Sequence, residues 1–153
     1  MDSRPIPDKE VLVRTQEQMG TLRALSDMDL KLTDPAEDIR GREVRDSADD
    51  EIGNVDELLI DDLERRVRLL RVGSGGILGM GETEVLIPVD AITRITDDTV
   101  YINRNRAHVA GAPRYDPELV DQRYLESVYA YYGYYPYWRP GYVYPSYPAY
   151  PHA

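Results

Sequence analysis

The chain has 153 residues, 42% of them hydrophobic and 30% charged, with a formal net charge of −10 and no cysteine. That length accommodates one modest core plus extensions. The lack of thiols excludes disulfides, thiolate nucleophiles and thiolate metal sites, and fits a reducing cytoplasm, where we expect the protein to reside. The acidic balance repels phosphate backbones and anionic headgroups, so nucleic acid is not an expected partner.

The charge is uneven: residues 39–103 carry 15 acids against 8 bases, residues 104–153 only 4 against 5. The start, Met1-Asp2-Ser3-Arg4-Pro5, has neither a basic nor an apolar run, so no secretory signal is expected. Apolar runs such as Leu58-Leu59-Ile60 fall far short of the roughly 20 residues a membrane helix needs. No transmembrane segment is expected, and any membrane association would be peripheral, through a protein partner.

Residues 1–38 read as a polar N-terminal arm, partly helical at best, with a weak apolar rhythm at Val11, Leu12, Leu22, Leu25 and Leu30. From residue 39, segments rich in Val, Ile and Leu alternate with Gly- and Asp-rich punctuation about every ten residues, the pattern of consecutive short strands. The predicted strands are 43–46, 55–61, 67–72, 84–87, 92–95 and 99–103. Residues 49–53 supply an Asp-rich turn with Gly53 expected at positive φ. Gly73-Ser74-Gly75-Gly76 opens a looser loop toward Gly79 and Gly81. No 10–15-residue helices separate these strands, so a parallel α/β sheet is disfavoured. About six short strands must close or nearly close on themselves to hide their edges, which predicts a mainly β fold built on a small antiparallel barrel over 39–103.

Residues 104–132 read as a linker and one amphipathic helix. Asp116 suits the cap, Pro117 the first helical position, and Val120, Tyr124, Val128 and Tyr131 share a face up to a stop at Gly133. Residues 133–153 form a low-complexity Tyr/Pro-rich tail, expected to be disordered, with a Tyr-Pro step every three residues at Tyr144, Tyr147 and Tyr150. In polyproline II these tyrosines would share one edge.

Ile39-Arg40-Gly41-Arg42-Glu43-Val44, followed by Glu51-Ile52-Gly53-Asn54-Val55 and a strand ending at Asp61, resembles the opening of the PRC-barrel family. Residues 67–72 and Val85-Leu86-Ile87-Pro88-Val89-Asp90 resemble its later strands. The family is named for the cytoplasmic domain of the photosynthetic reaction-centre H subunit and includes the C-terminal domain of the ribosome-maturation factor RimM. The resemblance implies a small stand-alone member that binds or scaffolds without chemistry, and it brings no catalytic residues.

Sharper chemical readings find little support. The glycines at 73, 75, 76, 79 and 81 match neither phosphate-loop spacing. Asp46, Asp49, Asp50 and Glu51 do not follow the calcium-loop order and read better as turn residues. His108 and His152 are too few and too far apart for a zinc site, and Ser127 lies in no nucleophile elbow. No enzyme activity, metal or cofactor is expected. The basic run Arg65, Arg66, Arg68 and Arg71 reads as cross-strand partners for Asp56, Glu57 and Asp61 before it reads as an RNA contact.

The aromatic tail is the feature least accounted for by a barrel. Tyrosine and tryptophan suit contact surfaces, so Tyr124, Tyr131, Tyr135, Tyr137, Trp138, Tyr144, Tyr147 and Tyr150 are the candidate partner-binding residues. The expected function is a non-enzymatic interaction or scaffolding module whose helix and tail dock on a protein partner or a second copy. The alternatives are a self-assembling structural or stress-associated protein, a ribosome- or RNA-associated factor on the RimM resemblance, and an H-subunit-like role.

Overall fold

A computed structural model of the chain describes residues 21–28, 35–73 and 83–148. Expectations placed on Val11, Leu12, Leu30, Gly75, Gly76, Gly79, Gly81, Tyr150 and His152 lie outside the described residues. The fold is mainly β. Its strands are β1 (Leu22–Ala24), β2 (Glu43–Arg45), β3 (Glu51–Asp61), β4 (Arg66–Gly73), β5 (Glu84–Pro88), β6 (Ile92–Ile95) and β7 (Thr99–Ile102). Two helices follow, α1 (Arg106–Ala110) and α2 (Gln122–Tyr132). The periodicity located six of the strands; β1 falls where a partly helical arm was expected.

The 11-residue β3 is the spine. One edge pairs antiparallel with β4 from Asn54 opposite Gly73 to Asp61 opposite Arg66. The other edge is shared, by β2 at Glu51 to Asn54 and by β1 at Leu59 to Asp61. The full order is β5-β4-β3-β2-β7-β6. The expected all-antiparallel arrangement needs one correction: β2 and β7 run parallel, with Val44 opposite Val100. They are joined by the intervening strands rather than by a hairpin, as parallel neighbours must be.

Why the sheet curls follows from chain lengths. Its two outermost strands, β5 and β6, are linked only by the 3-10 turn Val89–Ala91. Laid flat, five strand spacings would separate them by roughly 24 Å. The link reaches on the order of 14 Å at full extension. The sheet therefore bends until its free edges approach, and Val44, Leu58, Ile60, Leu70, Ile87 and Val100 fill the interior, each with no exposed surface. Leu58 through Asp61 are buried on both faces of β3; residues 25–27 and α1 also contact that strand, and α2 lies on β5.

The turns show what the acidic punctuation does. Asp46 Oδ1 accepts from Ala48 and Asp50 N–H, and its Oδ2 accepts from Arg106 N–H at 2.9 Å, tying the β2–β3 turn to the start of α1. Burial works against this carboxylate's charge, yet the backbone N–H groups outweigh it and hold the Asp46 pKa below its ordinary value. The positive φ in this turn belongs to Asp49, at 67°, not to Gly53. Gly53 is needed for a different reason: a Cβ there would collide with the Gly73 carbonyl oxygen on β4. The five residues of α1 carry too little periodicity to betray a helix, but Asn105 caps them by accepting from His108 N–H at 2.7 Å. Among the described residues no helix is long and apolar enough to cross a membrane.

The close approach of β3 and β4 sets a test. Gly53→Ala must separate two backbones and should cost about 1–3 kcal/mol of stability, the usual range for overpacking. At Gly73 an added Cβ meets only the Asp56 carboxylate, which can swing away. Chemical denaturation of both variants should show Gly53→Ala clearly the more damaged; equal midpoints would mean the two strands tolerate wider separation.

Candidate interaction site

The site begins at the end of the barrel sequence. Asp116 and Pro117 do open a helical turn, but it is the 3-10 turn Pro117–Leu119. The α-helix starts five residues later, where Asp121 Oδ1 accepts from Tyr124 N–H at 2.9 Å. Its buried face is Leu125, Val128, Tyr129 and Tyr132. The face expected from Val120, Tyr124, Val128 and Tyr131 is thus rotated: Val120, Tyr124 and Tyr131 are only half-buried along its border. Gly133 ends the helix as expected, in the left-handed region at φ 82°, with its N–H on the Tyr129 and Ala130 carbonyls. Arg104 supports that end by donating to the Tyr132 carbonyl while its guanidinium sits 4.7 Å from the Tyr134 ring centre.

The Tyr/Pro-rich segment expected to be disordered spans residues 133–153, of which 133–148 are described. They fold back over the outside of the barrel as a strap, and Tyr137, Trp138 and Tyr147 join the hydrophobic core at 6%, 2% and 6% exposure. The physical reason lies in β4. The Arg68 side chain is buried on this face, paired with Asp61 at 2.5 Å and reaching Glu64 at 3.1 Å. Its guanidinium lies 4.6 Å from the Tyr137 ring centre, 5.3 Å from that of Tyr144 and 5.7 Å from that of Tyr142. Arg66 stacks on the Tyr144 ring at 4.5 Å. Aromatic faces attract such cations more strongly once water is removed.

The tyrosine hydroxyls supply direction. Tyr142 donates to Asp90 Oδ2 at 3.0 Å, Tyr144 to the Val67 carbonyl at 3.0 Å, and Tyr147 to the Glu37 carbonyl. Burial pushes the pKa values of Tyr137, Tyr142, Tyr144 and Tyr147 well above the ordinary phenol value, so these hydroxyls remain donors throughout the ordinary pH range. Burial also works against the Arg68 charge, but the Asp61 carboxylate more than compensates and raises its pKa. Asp90 differs: burial raises its carboxyl pKa, opposed by the Tyr142 hydrogen bond. Asp90 Oδ1, Tyr129 Oη and, on the strap itself, Trp138 Nε1 are buried and have no hydrogen-bond partner among the described residues.

Of the eight candidate residues, the structure brings Tyr137, Trp138, Tyr144 and Tyr147 onto the barrel, where they serve the fold itself. Tyr124 packs at the helix start, with its hydroxyl 3.4 Å from the Pro113 carbonyl, and Tyr131 stacks on His108 with ring centres 4.4 Å apart. Tyr135 remains 53% exposed. Elsewhere on the strap Val143 is 82% exposed, and on the β3–β4 turn Leu63 is 55% exposed; sequence inspection singled out neither. An open groove of about 580 Å³ lies between this turn and the strap, lined by Glu64, Arg66, Arg139 and Val143 among others. A second, of about 620 Å³, lies between β1 and the start of α2, lined by Leu22, Arg23, Tyr115 and Leu125. The basic run is largely paired: Arg68 with Asp61, Arg66 with Glu64 at 3.5 Å, and Arg71 with Glu84 at 3.2 Å. Asp61 was expected among these partners. Glu57 instead receives the Ser26 hydroxyl and lies 3.6 Å from Arg40.

Comparison with family models matches residues 33–109 to the PRC-barrel domain. No curated protein matches the chain.

Two outcomes test the site's electrostatics. Arg68→Ala leaves Asp61 buried without its partner and should cost about 3–5 kcal/mol, as broken buried pairs do. It should also red-shift the emission of Trp138, the single tryptophan, as the strap loosens; an unshifted spectrum would show that the rings hold without the cation. For Asp90 the fold favours the protonated form. Its contribution is therefore present below the unfolded value of about 3.8 and lost as pH rises through the higher folded value. Asp90→Asn should gain stability over the native chain as pH is raised from about 4 to 7, read by denaturation at each pH. A gap that narrows over that range would contradict the assignment.

Proposed function

The chain belongs to the PRC-barrel domain family, and on that footing we propose that it is a non-catalytic interaction module that offers the strap and the adjoining β3–β4 turn to a protein partner. The observation that carries this is the exposure of Tyr135 and Val143 on the strap and of Leu63 on the β3–β4 turn, while Arg68 packs against the strap's Tyr137, Tyr142 and Tyr144 rings. A contact loop already fixed in one conformation loses little entropy on binding, so a few apolar side chains suffice to make it useful.

The absence of chemistry is supported by how the titratable groups are occupied. Asp46 serves backbone N–H groups, Asp61 serves Arg68, Glu57 receives Ser26, and the His108 ring packs on Tyr131. An RNA-binding role for the arginine run draws little support, since its members face carboxylates and rings within an acidic protein. A cytoplasmic location agrees with the absence of cysteine from the sequence.

Replacing Tyr135 and Val143 together by serine alters the displayed surface while leaving Arg68 and its rings in place. In pull-downs from native lysate, membranes included, a partner held by the full chain should be lost from this double variant, while its unfolding midpoint stays within about 0.5 kcal/mol of the native chain, as surface changes usually do. Retention of the same partner by the variant would move the interaction surface away from the strap.

A further inference from the structure

The strap is attached to the barrel in an unusual way. The main-chain hydrogen bonds seen along it close on itself or on α2: Tyr134 N–H to Tyr129 O, Arg139 N–H to Pro136 O, and Tyr142 N–H to Arg139 O. Its grip on the barrel is made by side chains: the buried rings of Tyr137, Trp138 and Tyr147, the hydroxyls of Tyr142, Tyr144 and Tyr147, and the ring faces over Arg66 and Arg68. It can therefore leave and return as a unit without disturbing a sheet ladder.

The outer face of β4, with the two 3-10 turns beside it, is in effect a receptor for a tyrosine-bearing segment. It presents the buried Arg68 for the rings, and the Val67 and Glu37 carbonyls and the Asp90 carboxylate for the hydroxyls. The segment known to fit it is residues 133–148 of this chain. We propose that this face also accepts the strap of a second copy, so that two chains associate by exchanging straps. The proposal rests on the interaction-module reading and names its partner.

Four observations favour exchange. Gly133, at φ 82°, gives a flexible joint where the strap leaves α2. Pro136, Pro140, Pro145 and Pro148 keep the released segment extended, which lowers the entropy lost on reseating. Exchange reproduces every contact of the closed form, so only the cost of association has to be met, the general reason such swaps are accessible. Val143, 82% exposed, lines the groove from the strap side, and the exposed Leu63 precedes Glu64, which lines it from the barrel side, so both lie near the seam where two exchanged copies would meet. There they can contribute the apolar burial that a lone chain forgoes.

The absence of cysteine permits a direct test. Glu64 and Val143 line the same groove from the barrel side and the strap side, and both are well exposed, so Glu64→Cys and Val143→Cys should fold normally. The two single-cysteine chains, carrying different tags, are co-expressed so that both fold together. They are then purified at high concentration and treated with a short bis-maleimide. Strap exchange predicts a mixed 64-to-143 product several-fold more abundant than either like-with-like product. It also predicts that a chain carrying both cysteines crosslinks between copies in its dimer fraction.

If the doubly substituted chain crosslinks only within itself at every concentration, and the mixed product does not exceed the like-with-like ones, the strap stays on its own barrel and exchange is refuted. That result leaves the serine-variant pull-down untouched. Loss of the partner there would still sustain an interaction module that binds a different protein.

Discussion

Arg68 is a cation placed where a small barrel can least accommodate one, at 3% exposure on the face of a central strand. Burying a guanidinium is tolerable only when opposite charge and polarizable groups replace its water. Asp61, the residue that ends β3, supplies the charge, and Tyr137, Tyr142 and Tyr144 supply the ring faces. These requirements come from distant parts of the chain. The β3–β4 turn brings the carboxylate within reach of the arginine, and only a segment returning after α2 can provide the aromatic cover. The strap, the helix that launches it and the Gly133 stop that redirects it are all linked to this one buried charge.

The same constraint explains how an acidic domain manages an aromatic-rich terminus. Thirteen tyrosines in 153 residues would be a liability if displayed freely. Most of those after α2 have their rings packed and their hydroxyls on defined acceptors, which turns an aggregation hazard into a tether. What stays outside is a small set: Tyr135 and Val143 on the strap and Leu63 on the β3–β4 turn.

The barrel imposes its own limits. Because β5 and β6 are joined by three residues while lying at opposite ends of the strand order, the sheet has no freedom to open. The near-contact of Gly53 with Gly73 marks how closely β3 and β4 approach inside that curl. Asp46 then couples the barrel to the segment beyond it by accepting from the first N–H of α1. The chain's path from barrel to helix is therefore set by backbone hydrogen bonds before any aromatic contact forms.

Local features of the sequence were enough to determine six of the strands, the turn roles of the acidic residues, the family and the end of α2 at Gly133. Each depends on neighbours within a few residues, through alternation, turn chemistry or a left-handed glycine. The parallel pairing of β2 with β7, the strand β1, the orientation of α2 and the fate of the Tyr/Pro segment were decided only by the tertiary structure. Tyr144 meets the Val67 carbonyl 77 positions away and Tyr147 meets Glu37 at a separation of 110. A segment whose composition reads as loose becomes fixed because its partners lie on the surface of an already folded barrel, and no local window contains them. Two of the tyrosines expected to recruit a partner, Tyr137 and Tyr144, pack on the protein's own arginines.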